Sequence, residues 1–225
     1  LAAQVREQTD RLGALVHNAG LIRDQRQTTP DGFESTWQVN HLAPLALTFL
    51  LWPILAPEPA PAKTTNRSST VTRLVFVSSK AHRSGRFDLR NLEGEVSYEA
   101  YDAYARSKAA NLVVTRHLAA RVQRPDLTIN GLHPGVIGTK LLHAAFGGGG
   151  ADLSEGAAHL LHLVDGPAGR DHHGTYFEND SPSTPVGFVR QAKVADAVWS
   201  HSVNQLRGRL QIGRASCRER VFPVV

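Results

Sequence analysis

Tyr104 and Lys108 stand four residues apart in the run YARSK at 104–108. On a helix that spacing sets both on one face about one turn apart, so an ammonium lies beside a phenol. A phenol titrates near ~10, and bringing it to ~7, where it can exchange protons, takes ~4 kcal/mol of preferential stabilisation of the phenolate. A neighbouring cation supplies part of that. The same spacing also describes an ordinary surface pair, which leaves the chemistry open on this motif alone. Tyr98 and Tyr101 lack the partner, having Asp102 and Ala105 four residues on.

Two further residues are out of the ordinary. Ser79 follows the apolar run Leu74–Val77, which reads as a strand buried on both faces, and parallel sheets place active-site groups at that carboxyl edge. A Ser there can equally do no more than cap the next turn. Asn40 sits in an apolar helical stretch, where Asn is a poor helix former, and Pro44 four residues later has no N–H for the Asn40 carbonyl. That carbonyl is therefore expected to be open to water. A broken local rule of this kind often marks function.

The elements that must hold these residues alternate between strand and helix. Leu1–Arg11 reads as the back half of a polar helix, and 14–16 as a short strand entering the turn 17–20. A long helix is expected from a cap at Asp31 to about Leu55, then a Pro-, Thr- and Ser-rich loop over 56–73 and the strand 74–77. A polar loop over 80–99 leads to a second long helix at 101–122, and then to a strand at 127–132. The segment 140–152, with glycines at 147–150, reads as flexible. A helix capped by Ser154 runs to about Val164, a short strand covers 174–177, and a closing helix covers 192–206 with Gly208 placed to stop it. Connections this long do not make hairpins, so the pattern predicts an α/β fold with a parallel sheet covered by helices on both sides.

At 225 residues, 41% hydrophobic and 20% charged, the chain can bury the core of one such domain, which excludes disorder, collagen and coiled coil. The apolar stretch 43–56 is too short for a bilayer and holds Pro44 and Pro53, so no membrane span is expected. No Met occurs and Leu1 opens in mid-helix sequence, so a front piece is expected to precede it. The run IGRASCRERV at 212–221 back-translates into a common sequencing-library adapter, and residues 212–225 are expected to be a non-native tail after a single domain over 1–211. Without its Arg214, Arg218, Arg220 and Glu219 the formal charge of +5 becomes +3, which weakens the case for a nucleic-acid partner. The same run holds the one cysteine, Cys217, so no disulfide framework is expected and a reducing cytoplasm fits. The eleven histidines are scattered without a partnered carboxylate or Cys set, and no metal site is expected.

Taken together, HNAG at 17–20, VNH around Asn40, VSSKAH at 77–82, YARSK at 104–108 and HPGVIGT at 133–139 resemble, in order and spacing, the short-chain dehydrogenase/reductases. The wording FDLRNL and YARSKAANLVVT resembles the branch that includes retinol dehydrogenases and protochlorophyllide reductases. The resemblance covers Leu1 to about Gly208 and implies a Rossmann-type, doubly wound parallel sheet. It implies that Tyr104 exchanges the proton with the substrate oxygen and that Ser79 hydrogen-bonds that oxygen. Lys108 would lower the Tyr104 pKa and hold the nicotinamide ribose, while Asn40 would anchor a water relaying protons to Lys108. Asn18, Ala19 and Gly20 would lie beside the adenosine half, and the segment holding Pro134, Gly135, Ile137 and Thr139 over the nicotinamide and phosphates.

Two departures accompany the resemblance. His17 stands where the family usually has Asn. The family's glycine-rich phosphate loop is absent, and 147–150 cannot replace it because no strand leads into that run. The first three strands are accordingly expected upstream of Leu1. The implied function is interconversion of an alcohol with an aldehyde or ketone, using NADP by branch analogy, or NAD. The apolar Leu141, Leu142, Ala144, Ala145 and Phe146 in a lid over 141–153 suggest a hydrophobic small-molecule substrate. A non-catalytic dinucleotide-binding regulator on the same fold is the alternative. The two long helices resemble those that pair across a two-fold axis in relatives, so a homodimer is expected.

Overall fold

The structure, a computed structural model, describes residues 1–57, 71–207 and 209, with the Phe146 side chain outside that description. Residues 212–225, Gly208 and most of the loop expected over 56–73 also lie outside the described residues.

Five strands form one sheet in chain order: β1 (Ala14–His17), β2 (Thr72–Val77), β3 (Leu127–His133), β4 (Tyr176–Glu178) and β5 (Ser181–Ser183). The first four pair in parallel, with Leu15 opposite Leu74 and Leu74 opposite Ile129. β5 returns antiparallel on β4, which departs from the all-parallel expectation. A tight turn through Asn179, at φ 54°, makes this hairpin possible, and Asn is among the side chains that tolerate the left-handed region. The result is a mixed, mostly parallel sheet in a Rossmann-like α/β fold.

A short helix, α1 (Ala2–Gln8), precedes β1, helices cover both faces of the sheet, and the period of two along each strand decides which residues meet them. Leu74, Phe76 and Ile129 point to the larger layer. There they meet α3 (Ala43–Leu55), α4 (Ala100–Arg121) and α8 (Ala192–Arg207). Val75, Leu132 and Phe177 point the other way, to Leu163 of α6 (Leu153–Val164) and Ala168 of α7 (Pro167–Asp171).

The first long helix does not begin at Asp31. It begins at α2 (Ser35–Trp37), where both carboxylate oxygens of Glu34 accept backbone N–H bonds, from Thr36 and Trp37 at 2.7 Å each. The Glu34 N–H in turn donates to Glu93 Oε2 at 2.7 Å, which ties the polar loop before α4 to this cap. Glu34 is 1% exposed, so its removal strands buried donors. Glu34→Ala is expected to lower unfolding free energy by about 2 kcal/mol, read from urea midpoints; a change near zero would show the cap to be replaceable.

Between α2 and α3 the helix widens into a π turn over Gln38–Leu42, where the Ala43 N–H reaches the Gln38 carbonyl. The whole run Ser35–Leu55 is long and apolar enough to cross a bilayer, contrary to the reading of 43–56 alone. Most of it is buried inside the fold, through Trp37, Leu45, Phe49 and Leu55, as the core helix of a layered domain.

Two other elements differ from expectation. Asp152, not Ser154, caps α6, accepting from the Ser154 N–H at 2.8 Å. The segment expected to be flexible contains α5 (Lys140–Phe146), and Gly147–Gly150 all take positive φ, between 78° and 102°. Glycine tolerates that conformation without the Cβ penalty, which accounts for four in a row. The closing helix α8 lies across the two long helices expected to pair between subunits. Trp199 stacks on His117 at 4.1 Å and Gln205 accepts from the Trp37 indole at 3.0 Å. On α3 only Ala43 and Pro53 stay exposed.

Candidate active site

The carboxyl ends of β1, β2 and β3 open into a cleft of about 680 Å³. The expected residues Asn18, Ala19, Gly20, Ser79, Tyr104, Lys108, Pro134, Gly135, Ile137 and Thr139 all line it, although they come from four separate parts of the chain. Asn40 does not reach the cleft; it is fully buried directly behind.

The pair on α4 is in place. Tyr104 is buried, and Lys108 Nζ lies 5.6 Å from the centre of its ring. The ammonium donates to the Val77 carbonyl at 3.0 Å instead of bonding the phenol. Burial lowers Lys108 to about 8. The Tyr104 phenol is pushed up by burial, and hydrogen bonding with Ser79 opposes that rise. Desolvation outweighs the Ser79 bond, so the phenol stands above its ordinary value.

Ser79 fills the capping role read from the sequence. Its Oγ accepts from the Ala81 N–H at 3.2 Å, capping a 3₁₀ turn over Lys80–Arg83, and it also faces Tyr104. His82 holds it from below. The Val186 N–H donates to His82 Nε2 at 3.3 Å, so the proton sits on Nδ1, which donates to the Ser79 carbonyl at 2.7 Å.

Asn40 works as a clamp. Its Oδ1 accepts from the Leu21 N–H at 2.7 Å, and its Nδ2 donates to the Leu21 carbonyl at 2.8 Å and to Ser107 Oγ at 3.0 Å. The turn 18–21 is thereby locked to α4. Gly20 makes a close approach at this junction, where a Cβ would come within 3.3 Å of Lys108 Nζ and 3.4 Å of Asn40 Oδ1. The Asn40 carbonyl, expected to be open, accepts from Asn111 Nδ2 at 2.9 Å.

Several contributors escaped the sequence reading. Ser78 Oγ donates to the Lys108 carbonyl at 2.8 Å, pinning the helix to the strand end. His133, the last residue of β3, lines the cleft, and burial lowers it to about 4, so its ring is neutral at ordinary pH. Its signal was its place at the same carboxyl edge as Ser79. Across the mouth, Gly138 donates to the Ala151 carbonyl and Ala151 to the Val136 carbonyl, both at 2.8 Å, which anchors the lid at its two ends. Among the described residues no group of three metal-ligating side chains comes together.

The cleft suits a nicotinamide dinucleotide on its own features. Lys108 presents a buried ammonium with one hydrogen bond among the described residues, and at Gly20 the wall is bare backbone. A sequence profile of the short chain dehydrogenases matches residues 1–147. The chain belongs to the short-chain dehydrogenase family.

Among curated members of that family, the mouse protein Retinol dehydrogenase 14 is 38% identical over 135 residues, 60% of this chain and 37% of its own. The chain spans 37% to 62% of the length of such relatives. Of solved structures, a protein from Mycobacterium paratuberculosis superposes with a TM-score of 0.70 at 27% identity, covering 92% of this chain and 71% of that one. A short chain dehydrogenase from Escherichia coli CFT073, complexed with NADPH, gives 0.56 at 26% identity, covering 80% and 68%. Asn40, Ser79, Tyr104 and Lys108 lie within the matched residues 1–147.

Proposed function

We propose that the protein is an NADP(H)-dependent oxidoreductase that interconverts a hydrophobic alcohol with its aldehyde or ketone. The observation that carries this is the convergence of Ser79, Tyr104 and Lys108 on one cleft whose other walls are the 18–20 turn and the 134–139 segment. The spanned share of the relatives' length supports placing residues 1–211 as the C-terminal part of a larger dinucleotide-binding domain.

In this reading Ser79 Oγ hydrogen-bonds the substrate oxygen and sets it against the Tyr104 hydroxyl. Tyr104 donates its proton to that oxygen on reduction and takes it back on oxidation. Lys108, buried and held by Val77, orients its remaining N–H donors toward the ribose position and toward Tyr104. A bound nicotinamide dinucleotide supplies the hydride and, when oxidised, a positive charge that favours the phenolate. Asn40 keeps the 18–21 turn at the depth that leaves room for the cofactor.

NADP is favoured over NAD by the branch resemblance, with the NADPH complex of the E. coli neighbour as support. A hydrophobic substrate is supported by Val136, Ile137, Leu141 and Leu142 along the cleft and by the retinol dehydrogenase names of the relatives. The test is NADPH consumption by the complete protein with retinal, a medium-chain aldehyde and a polar sugar aldehyde. Turnover of the first two and not the third is expected. NADPH binding with no turnover of any carbonyl would favour the regulator on the same fold.

A further inference from the structure

Pro44 cannot supply the helix bond that the Asn40 carbonyl would otherwise receive four residues on, and the chain supplies it from elsewhere. Asn111, three residues past Lys108 on α4 and 1% exposed, donates from Nδ2 to that carbonyl at 2.9 Å. With its amide so oriented, Asn111 Oδ1 faces His41 Nδ1 at 3.4 Å. His41 is packed on the Trp37 ring at 4.4 Å, and its Nε2 lies 2.7 Å from Ser202 Oγ of α8.

The protons in this chain have one consistent arrangement. An amide oxygen only accepts, so His41 Nδ1 must carry the hydrogen. Its Nε2 is then bare and must accept from the Ser202 hydroxyl, which gives up its alternative bond to the Val198 carbonyl, 2.8 Å away. With the hydrogen on Nε2 instead, a bare Nδ1 would face the Asn111 oxygen. With the Asn111 amide flipped, two carbonyl oxygens would face each other. Burial, which holds His41 down at about 3, excludes the doubly protonated ring that would satisfy both neighbours.

We propose that Asn111 is a positioning residue for the Asn40 carbonyl, with its amide held in one orientation by His41 and Ser202. The bonds run in one direction, from Ser202 through His41 and Asn111 to Asn40, and join the closing helix to the segment behind Lys108. Asn111 uses one lone pair of the carbonyl and leaves the second for a water in line with Lys108, which rests on the oxidoreductase reading above. Ser107 holds the Asn40 side chain from the same helix, so α4 fixes both ends of the residue.

The experiment combines histidine ¹⁵N NMR with kinetics on the complete protein. The wild type is expected to show His41 protonated on Nδ1, identified by the resonance lost in His41→Gln. In Asn111→Leu the proton is expected to move to Nε2, with kcat about ten-fold lower and NADPH Kd and carbonyl KM within about two-fold. A purely structural role would weaken binding and turnover together, and would overturn the proposal. Should Asn111→Leu not fold, Ser202→Ala is the milder variant, with mixed His41 tautomers and kcat about three-fold lower. An Nε2-protonated His41 in the wild type, or unchanged kcat in the folded variants, would overturn the proposal as well. Absence of any carbonyl turnover in the wild type would fell the oxidoreductase reading, while the tautomer would still decide whether Asn111 holds the carbonyl.

Discussion

Tyr104→Phe is expected to lower kcat by about 10² to 10⁴ while NADPH affinity changes less than about two-fold. The substitution deletes one oxygen and keeps a ring that is packed on Ala81, Ala105 and their neighbours, so the fold should persist. In the proposed reading that oxygen is the group that exchanges a proton with substrate, while Ser79 only hydrogen-bonds the substrate oxygen. Single-turnover reduction with saturating NADPH separates this chemical loss from product release. A variant as fast as wild type would remove Tyr104 from the mechanism, whatever the geometry of the cleft.

Stability should fall steeply as the solution is acidified from about pH 6.5 to 4.5. Burial lowers His17, His117 and His133 to about 4 and His41 to about 3, against an unfolded value of 6.5. Above pH 6.5 these rings are neutral in both states and contribute no difference. Between the unfolded and folded values the unfolded chain binds protons that the folded chain refuses, so the folded state loses ground as pH falls. For His17 the full loss is ~3 kcal/mol. Asp88, Asp126 and Asp152, whose carboxyls are lowered by hydrogen bonds, lose their contribution only below that window, near and under 3.8. Glu93, raised by burial, works in the opposite sense, since protonation relieves it. Urea titrations at pH 7 and 4.5 measure the loss, and His17→Asn should reduce it. Equal stability at the two values would show that these rings charge without unfolding.

The Tyr104–Lys108 pair was legible because its spacing lies within one helix and needs no tertiary knowledge. Asn40 was legible as a broken rule, but its resolution was not. The donor that replaces Pro44 belongs to Asn111, 71 residues away, and nothing in local pattern announces it. The start of the first long helix was misplaced because Asp is the commoner cap, whereas Glu34 is held for the job by burial and by Glu93. The lid was read as flexible from its glycines. Their positive φ values describe a turn that brings the chain after α5 back onto the 136–138 segment, a geometry that spacing alone does not give. β5 escaped because three residues around a Pro, SPS, carry no strand period and pair only at the sheet's edge.

The contacts of α8 also set a timetable for synthesis. Trp37 waits for Gln205 and His41 for Ser202, separations of 168 and 161 residues that are closed only after nearly the whole described chain has been made. Until then the Trp37 indole N–H and the His41 Nε2 behind the cleft lack these partners, and the nascent chain carries an uncovered apolar layer along α3 and α4. Long-range closures of this kind slow folding. A ribosome paused before residue 192 should therefore present a chain that holds its β-strands and recruits chaperones, and that binds no dinucleotide until release.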